Sequence, residues 1–150
     1  QEMGSRAGTE NTISIAGMDQ ALKLAIENFD TDHKYVLGLK TYFIEQLRKE
    51  IKGVAFNGLS EKPDGSAFHI LNVRFPIESP MLLFHLDLAG VAASGGSACQ
   101  SGSNKGSHVL SEILSEADSK LTSVRFSFSK CNTKEELDYT LSQIKRLIKN

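Results

Sequence analysis

Between Ser94 and Asn104 the chain reads Ser-Gly-Gly-Ser-Ala-Cys-Gln-Ser-Gly-Ser-Asn, which sets one thiol, Cys99, among four serines and three glycines. The thiolate is the reactive form of cysteine, and loops absorb the large backbone changes that move a reactive group. Gly95, Gly96 and Gly102 open backbone conformations closed to other residues, and the serine hydroxyls bond neighbouring amides or an anionic ligand. Local pattern leaves two readings of Cys99. It is a nucleophile that reaches a buried substrate and then presents its cargo outside, or a small buried hydrophobe in a tight strand-to-helix turn. The first reading needs a base or cation to lower the thiol pKa. Lys105 and His108 are near in sequence, and His108 fits a surface helix position equally well.

Two further segments carry chemistry. In Ser123-Val-Arg-Phe-Ser-Phe-Ser129, Arg125 falls on the face opposite Val124, Phe126 and Phe128. A planar guanidinium grips a carboxylate through two parallel hydrogen bonds and fixes its orientation. An exposed arginine on the solvent face of an edge strand fits the same pattern. At the N-terminus, Gln-Glu-Met-Gly-Ser-Arg-Ala-Gly-Thr-Glu-Asn combines glycines, Arg6 and Thr9 just before an amphipathic helix. Helix-start amides and hydroxyls suit a phosphate. The simpler reading has Thr9 or Thr12 capping that helix and Arg6 on the surface.

The elements that must position these groups follow from periodicity. Ile15, Met18, Leu22, Ala25, Ile26 and Phe29 recur at helical spacing and predict a helix from Thr12 to Phe29, which Asp30-Thr31-Asp32 interrupts. A second helical pattern runs through Val36, Leu39, Phe43, Leu47 and Ile51 and ends at Gly53. Short strands are expected at Val54–Phe56, Ala67–Phe75, Val91–Ala93 and around Val124–Phe128, separated by turn residues such as Asn57-Gly58 and Pro63-Asp64-Gly65. Ser79-Pro80 reads as the N-cap and first position of a helix through Leu88. Val109, Leu110, Ile113 and Leu114 place another helix. Thr133 and Glu136 form a capping box for the last one, which carries Leu137, Leu141, Ile144 and Ile148 on one face. Alternating helices and strands indicate an α/β or α+β layer, with helices against a small sheet.

The bulk numbers exclude several classes. A chain of 150 residues, 40% hydrophobic and 23% charged, supports one ordinary domain with a real core. A net charge of -1 with scattered basic residues offers no footprint for nucleic acid or an anionic membrane. No apolar run approaches the roughly 20 residues of a spanning helix, and no signal-peptide pattern opens the chain, so a cytoplasmic location is expected. Cys99 and Cys131 are too few for a disulfide framework and are expected as reduced thiols. Zinc binding by these cysteines and the four histidines has no supporting ligand spacing, so no metal is expected. The chain begins at Gln1, inside what reads as a motif, and a fragment of a longer protein is expected.

The run from Leu86 to Ser103, Leu-Asp-Leu-Ala-Gly-Val-Ala-Ala-Ser-Gly-Gly-Ser-Ala-Cys-Gln-Ser-Gly-Ser, followed by Ser107-His-Val-Leu110, resembles the cysteine loop of NifS/IscS-type cysteine desulfurases. Ser-Ala-Cys within a longer loop is similar to the first group of that family. The Gln1–Asn11 segment resembles its Gly-rich Gln-Glu motif, and Val124-Arg-Phe-Ser127 resembles its hydrophobic-Arg-Phe-Ser strand. Ser129-Lys130 stands where the family has Gly-Arg, a departure that lies beyond the clamp position.

The resemblance implies a pyridoxal 5'-phosphate enzyme of fold type I. It would remove sulfur from L-cysteine, release L-alanine and carry a persulfide on Cys99 for an acceptor protein in iron-sulfur cluster assembly or thio-modification. It implies Arg125 as the ligand of the substrate carboxylate. Thr9 would bind the cofactor phosphate of a partner subunit, and hence a homodimer is implied. Residues 1–52 would be connecting helices from a large domain, and residues 53–150 the small C-terminal domain. None of the twelve lysines fits the cofactor-binding position: His33-Lys34 mimics half of the family's Ser-x-His-Lys motif, without the Gly-Pro that follows it in the family. The chain alone is therefore expected to be inactive. A selenocysteine lyase, another class-V enzyme, or a non-catalytic module that docks a sulfur acceptor are the alternatives.

Overall fold

In the computed structural model, residues 8–95 and 107–149 are described. The order of elements is α1 (Thr12–Glu50), β1 (Ala55–Phe56), β2 (Ile70–Arg74), α2 (Leu82–Leu88), α3 (His108–Ile113), α4 (Glu116–Lys120), β3 (Ser123–Ser127) and α5 (Lys134–Ile148). The chain divides into two compact units, Gln1–His33 and Lys34–Asn150.

One helix stands where the periodicity predicts two. Asp30-Thr31-Asp32 lies within α1 and does not break it. Aspartate and threonine cost about 0.5 kcal/mol each relative to alanine inside a helix, far less than proline, and hydrogen bonding continues from both sides. The start of α1 also differs from expectation. Asn11 is the capping residue, its Oδ1 accepting from the Ser14 N–H at 3.0 Å, so neither Thr9 nor Thr12 fills that position. In the first unit Ile13, Ile15, Met18, Leu22, Ile26 and Phe29 are all exposed.

In the second unit β1, β2 and β3 form an antiparallel sheet in that order. Leu71 and Val73 of β2 and Val124 and Phe126 of β3 point to one face and are buried. Leu39, Phe43 and Leu47 of α1, Leu82 and Leu86 of α2, and Leu137, Leu141 and Ile144 of α5 join them in one core. Phe43 meets Phe126 edge-on, with ring centroids 5.3 Å apart. Polar ties hold the second half of α1 to α5 and its approach: the Tyr42 hydroxyl donates to Asp138 at 2.6 Å, Tyr35 donates to the Asn132 carbonyl at 2.7 Å, and Glu50 pairs with Lys145. The hydrogen bond to Asp138 raises the Tyr42 pKa above its ordinary value.

Several boundaries move for identifiable reasons. The Ile70 N–H bonds the Ala67 carbonyl, which closes a turn and starts β2 three residues later than the alternation suggests. Ser79 does not cap α2 with its side chain. Its backbone instead exchanges hydrogen bonds with the Thr122 hydroxyl, and the helix opens after Met81. Residues 91–93 are not a strand; pairing there is reduced to a bridge between Ser94 and Arg125. Ser115 starts a separate short helix, α4, by accepting from the Asp118 N–H. The capping box of α5 forms as expected, with Thr133 and Glu136 bonded reciprocally.

Lys40 is buried against the 60s loop with 1% of its surface exposed, and its Nζ donates to Ser66 Oγ and the Ala67 carbonyl. Both acceptors are neutral, so burial lowers its pKa from the ordinary 10.5. Between the lowered folded value and the unfolded one, the unfolded chain binds more protons, so stability rises with pH in that window. Relative to Lys40→Met, the wild-type urea midpoint should therefore climb as the pH rises toward the ordinary lysine value of 10.5; a constant difference between the two proteins would exclude a lowered Lys40 pKa. Thr133→Ala should cost about 1 kcal/mol in the same assay, and a loss below ~0.3 kcal/mol would show that the cap is dispensable.

Candidate functional site

The core face of β3 is apolar, so its alternate residues Ser123, Arg125 and Ser127 stand on the opposite face, as the alternation predicts. Arg125 exchanges both backbone hydrogen bonds with Ser94, at 2.7 and 3.0 Å. On its other side Arg125 faces Asn72 of β2. Because the Arg125 amide and carbonyl turn toward Ser94, the Arg125–Asn72 pair is of the non-hydrogen-bonded kind, in which side chains approach most closely. Asn57, just beyond β1, bonds Asn72 in turn through its backbone N–H (3.0 Å) and its side chain (2.9 Å). The result is a transverse row across one sheet face: Asn57, Asn72, Arg125, Ser94.

The row is polarised. Asp118 of α4 pairs with Arg74 at 3.2 Å, and Arg74 donates to Asn57 Oδ1 at 3.0 Å. Asn57 is buried and donates through Nδ2 to both Asn72 Oδ1 and Ser123 Oγ at 2.9 Å. Arg125 ends this arrangement differently from Arg74. Its Nε is buried and has no hydrogen-bond partner among the described residues. An unsatisfied buried donor on a cation costs free energy until an acceptor arrives, so Arg125 has hydrogen-bonding capacity that the described residues do not use.

The row also fixes the stem of the cysteine segment. Ser94 is bonded to Arg125, and the next described residue, Gly95, lines a cleft of about 510 Å3 with Ser107, His108, Ser111, Ser119 and Ser123. Gly95 and Ser107, the described residues on either side of the segment carrying Cys99, therefore line one cleft beside the Arg125 strand. Cys99 itself, like Lys105, Arg6 and the Gln-Glu motif, lies outside the described residues. His108 is exposed at the start of α3 and is one of the residues that line that cleft. A second cleft, of about 590 Å3, is lined by Glu135 and Glu136 with Phe43, Phe126 and Tyr139, and no lysine or arginine lines it. Its acidic lining disfavours a carboxylate ligand.

Thr9 belongs to the first unit and is exposed; its hydroxyl is not used in capping α1. Cys131 is exposed ahead of α5. Among the described residues no group of three or more His, Cys, Asp or Glu is arranged to hold a metal ion. No described lysine lines either cleft, and the Lys40 Nζ is engaged by Ser66 and Ala67. Sequence reasoning named Arg125 as a candidate and did not name its row neighbours Asn57, Asn72 and Ser94, or Arg74, as candidates beside it. The only local signal was Asn72 and Arg74 interrupting an apolar strand on its second face.

The chain is 41% identical over 150 residues to a cysteine desulfurase IscS of Dictyoglomus turgidum, covering 99% of this chain and 37% of that protein. It is 38% identical over 152 aligned positions to a cysteine desulfurase IscS of Clostridium botulinum, covering 99% and 38%. The fold is shared with a NifS-like protein from Rickettsia africae, with a TM-score of 0.78 at 23% identity over 100% of this chain and 38% of that one. The chain thus spans well under half the length of the relatives it matches. Its sequence also matches the aminotransferase class-V family over residues 1–140. A match of that extent, on a fold that a solved relative shares, means that this chain belongs to the aminotransferase class-V family.

Proposed function

We propose that this chain is the C-terminal part of a cysteine desulfurase, with Arg125 as the clamp for the carboxylate of L-cysteine and Cys99 as the nucleophile. The observation that carries this reading is the buried Arg125 Nε, without a partner among the described residues, on the strand bridged to Ser94. Cys99 follows Ser94 by five positions, a stretch of chain that spans at most about 18 Å, which bounds how far the thiol-bearing residue can lie from the clamp strand.

In this reading Arg125 fixes the substrate by its carboxylate and leaves the sulfur free to meet the thiolate of Cys99. A sulfur–sulfur bond forms as the substrate carbon–sulfur bond breaks, its electron pair remaining with carbon, which takes up a proton to give L-alanine. The outer sulfur of the resulting persulfide then passes to an acceptor thiol, for which an iron-sulfur scaffold or thio-modification protein is the partner class. Pyridoxal 5'-phosphate, when bound, supplies the electron sink for this chemistry. Its lysine is not among the residues placed here, so this chain alone should not turn over. Thr9 is assigned to the cofactor phosphate of a second subunit in a homodimer, a role for which its hydroxyl is free of capping duty.

Residues 53–150 are assigned to the small C-terminal domain and residues 1–52 to the connection with a large domain. Val36, Leu39, Phe43, Ile44 and Leu47 of α1 belong to the core of the second unit. Among the described residues no helix is long and apolar enough to cross a membrane. A cytoplasmic location is part of the proposal.

In the full-length protein supplied with L-cysteine and pyridoxal 5'-phosphate, wild type should yield alanine and a persulfide on Cys99, and Cys99→Ser should yield neither. Wild-type rates from Cys99→Ser would remove the nucleophile assignment. Arg125→Ala should lower kcat/KM roughly 100-fold, mainly through KM. An unchanged KM would count against the clamp.

A further inference from the structure

We infer that Asn72 is a second ligand of the anion bound by Arg125, turned toward it by a polarity relay that begins at Asp118. This deepens the proposed function and rests on Arg125 being the carboxylate clamp.

The argument is one of donors and acceptors. Arg74 can only donate, so the Asn57 atom facing it must be Oδ1, and Asn57 Nδ2 must face Asn72 and Ser123. The Asn72 atom that receives Asn57 Nδ2 must then be Oδ1. That leaves Asn72 Nδ2 as the outward end, and it donates to no described residue. Asp118, by holding Arg74 at 3.2 Å, fixes the first member of the relay.

Asn72 directly faces Arg125 as a non-hydrogen-bonded pair, with Cβ atoms about 4.5–5.5 Å apart in such pairs. Two neighbouring residues on one face thus present N–H donors without an acceptor, one of them buried and cationic. A planar carboxylate has two oxygens and about four lone-pair directions, enough to engage the guanidinium and an amide together. A reversed amide would present Oδ1 and repel the carboxylate. The relay forbids that reversal, because it would set Asn72 Nδ2 against Asn57 Nδ2, and turning Asn57 as well would set its Nδ2 against the Arg74 guanidinium.

The relay dictates an isosteric test. Asn72→Asp retains an acceptor for Asn57 Nδ2 but converts the outward donor into a carboxylate oxygen. In the full-length protein it should raise KM for L-cysteine roughly tenfold or more. It should leave the inhibition constant of cysteamine, which lacks the carboxylate, within about twofold of wild type. Asn72→Ser, which keeps a hydroxyl for Asn57 and removes the amide donor, should show a smaller rise in the same direction and covers the case in which Asn72→Asp fails to fold. A wild-type KM in either folded variant, alongside a raised KM in Arg125→Ala, would overturn the role of Asn72 and leave the clamp intact. An unchanged KM in Arg125→Ala as well would overturn the clamp reading and this inference with it. Equal weakening of cysteine and cysteamine would mark Asn72 as structural and also overturn the inference.

Discussion

The two backbone hydrogen bonds between Ser94 and Arg125 are the constraint on which the candidate site depends. They extend the sheet by one residue beyond β3 and, in doing so, bring the stem of the cysteine segment against the strand that carries the guanidinium. Without them, Arg125 would stand on an open edge, where water would satisfy its Nε and the incentive to hold an anion would fall. The same pairing orients the strand so that Arg125 and Asn72 meet on the close side of the ladder. One short bridge thus sets both where the thiol-bearing segment begins and what the arginine faces.

The core makes that bridge rigid. Phe43 packs edge-on against Phe126, immediately after Arg125 in sequence and on the opposite face of β3, with α5 behind it. Burying such a ring contributes about 1.5–3 kcal/mol, more than a surface ion pair supplies. The polar face is organised by a different force, the need to satisfy the buried Asn57. Its amide receives from Arg74 and donates to Asn72 and Ser123, so the polar face has one hydrogen-bonding sense rather than two. A preorganised polar site loses little free energy to reorganisation when its ligand arrives.

How much of this was legible in the sequence depended on the distance over which each feature is encoded. The Thr133–Glu136 capping box and the alternation of β3 are local, and both were read correctly. The same alternation put Arg125 on the polar face. The predicted break at Asp30-Thr31-Asp32 failed because propensity costs of a few tenths of a kcal/mol are too small to end a helix that continues on both sides. Ser79 was misread as a side-chain cap because its partner, Thr122, is 43 residues away. The Asn57 network was invisible for the same reason: its contacts span 15, 17 and 66 residues, and asparagine ahead of glycine announces only a turn. What pointed to Cys99 was the resemblance of a whole segment, since local chemistry alone left its two readings level.

The central claim is that the Arg125 row receives a carboxylate beside the cysteine segment. Its most direct measurement is a crystal structure of the full-length protein with an unreactive amino acid of the same shape, such as L-alanine. The account predicts that the carboxylate lies on the Arg125 guanidinium with one oxygen also within hydrogen-bond distance of Asn72 Nδ2. A carboxylate bound elsewhere, with Arg125 turned to a protein partner, would contradict it.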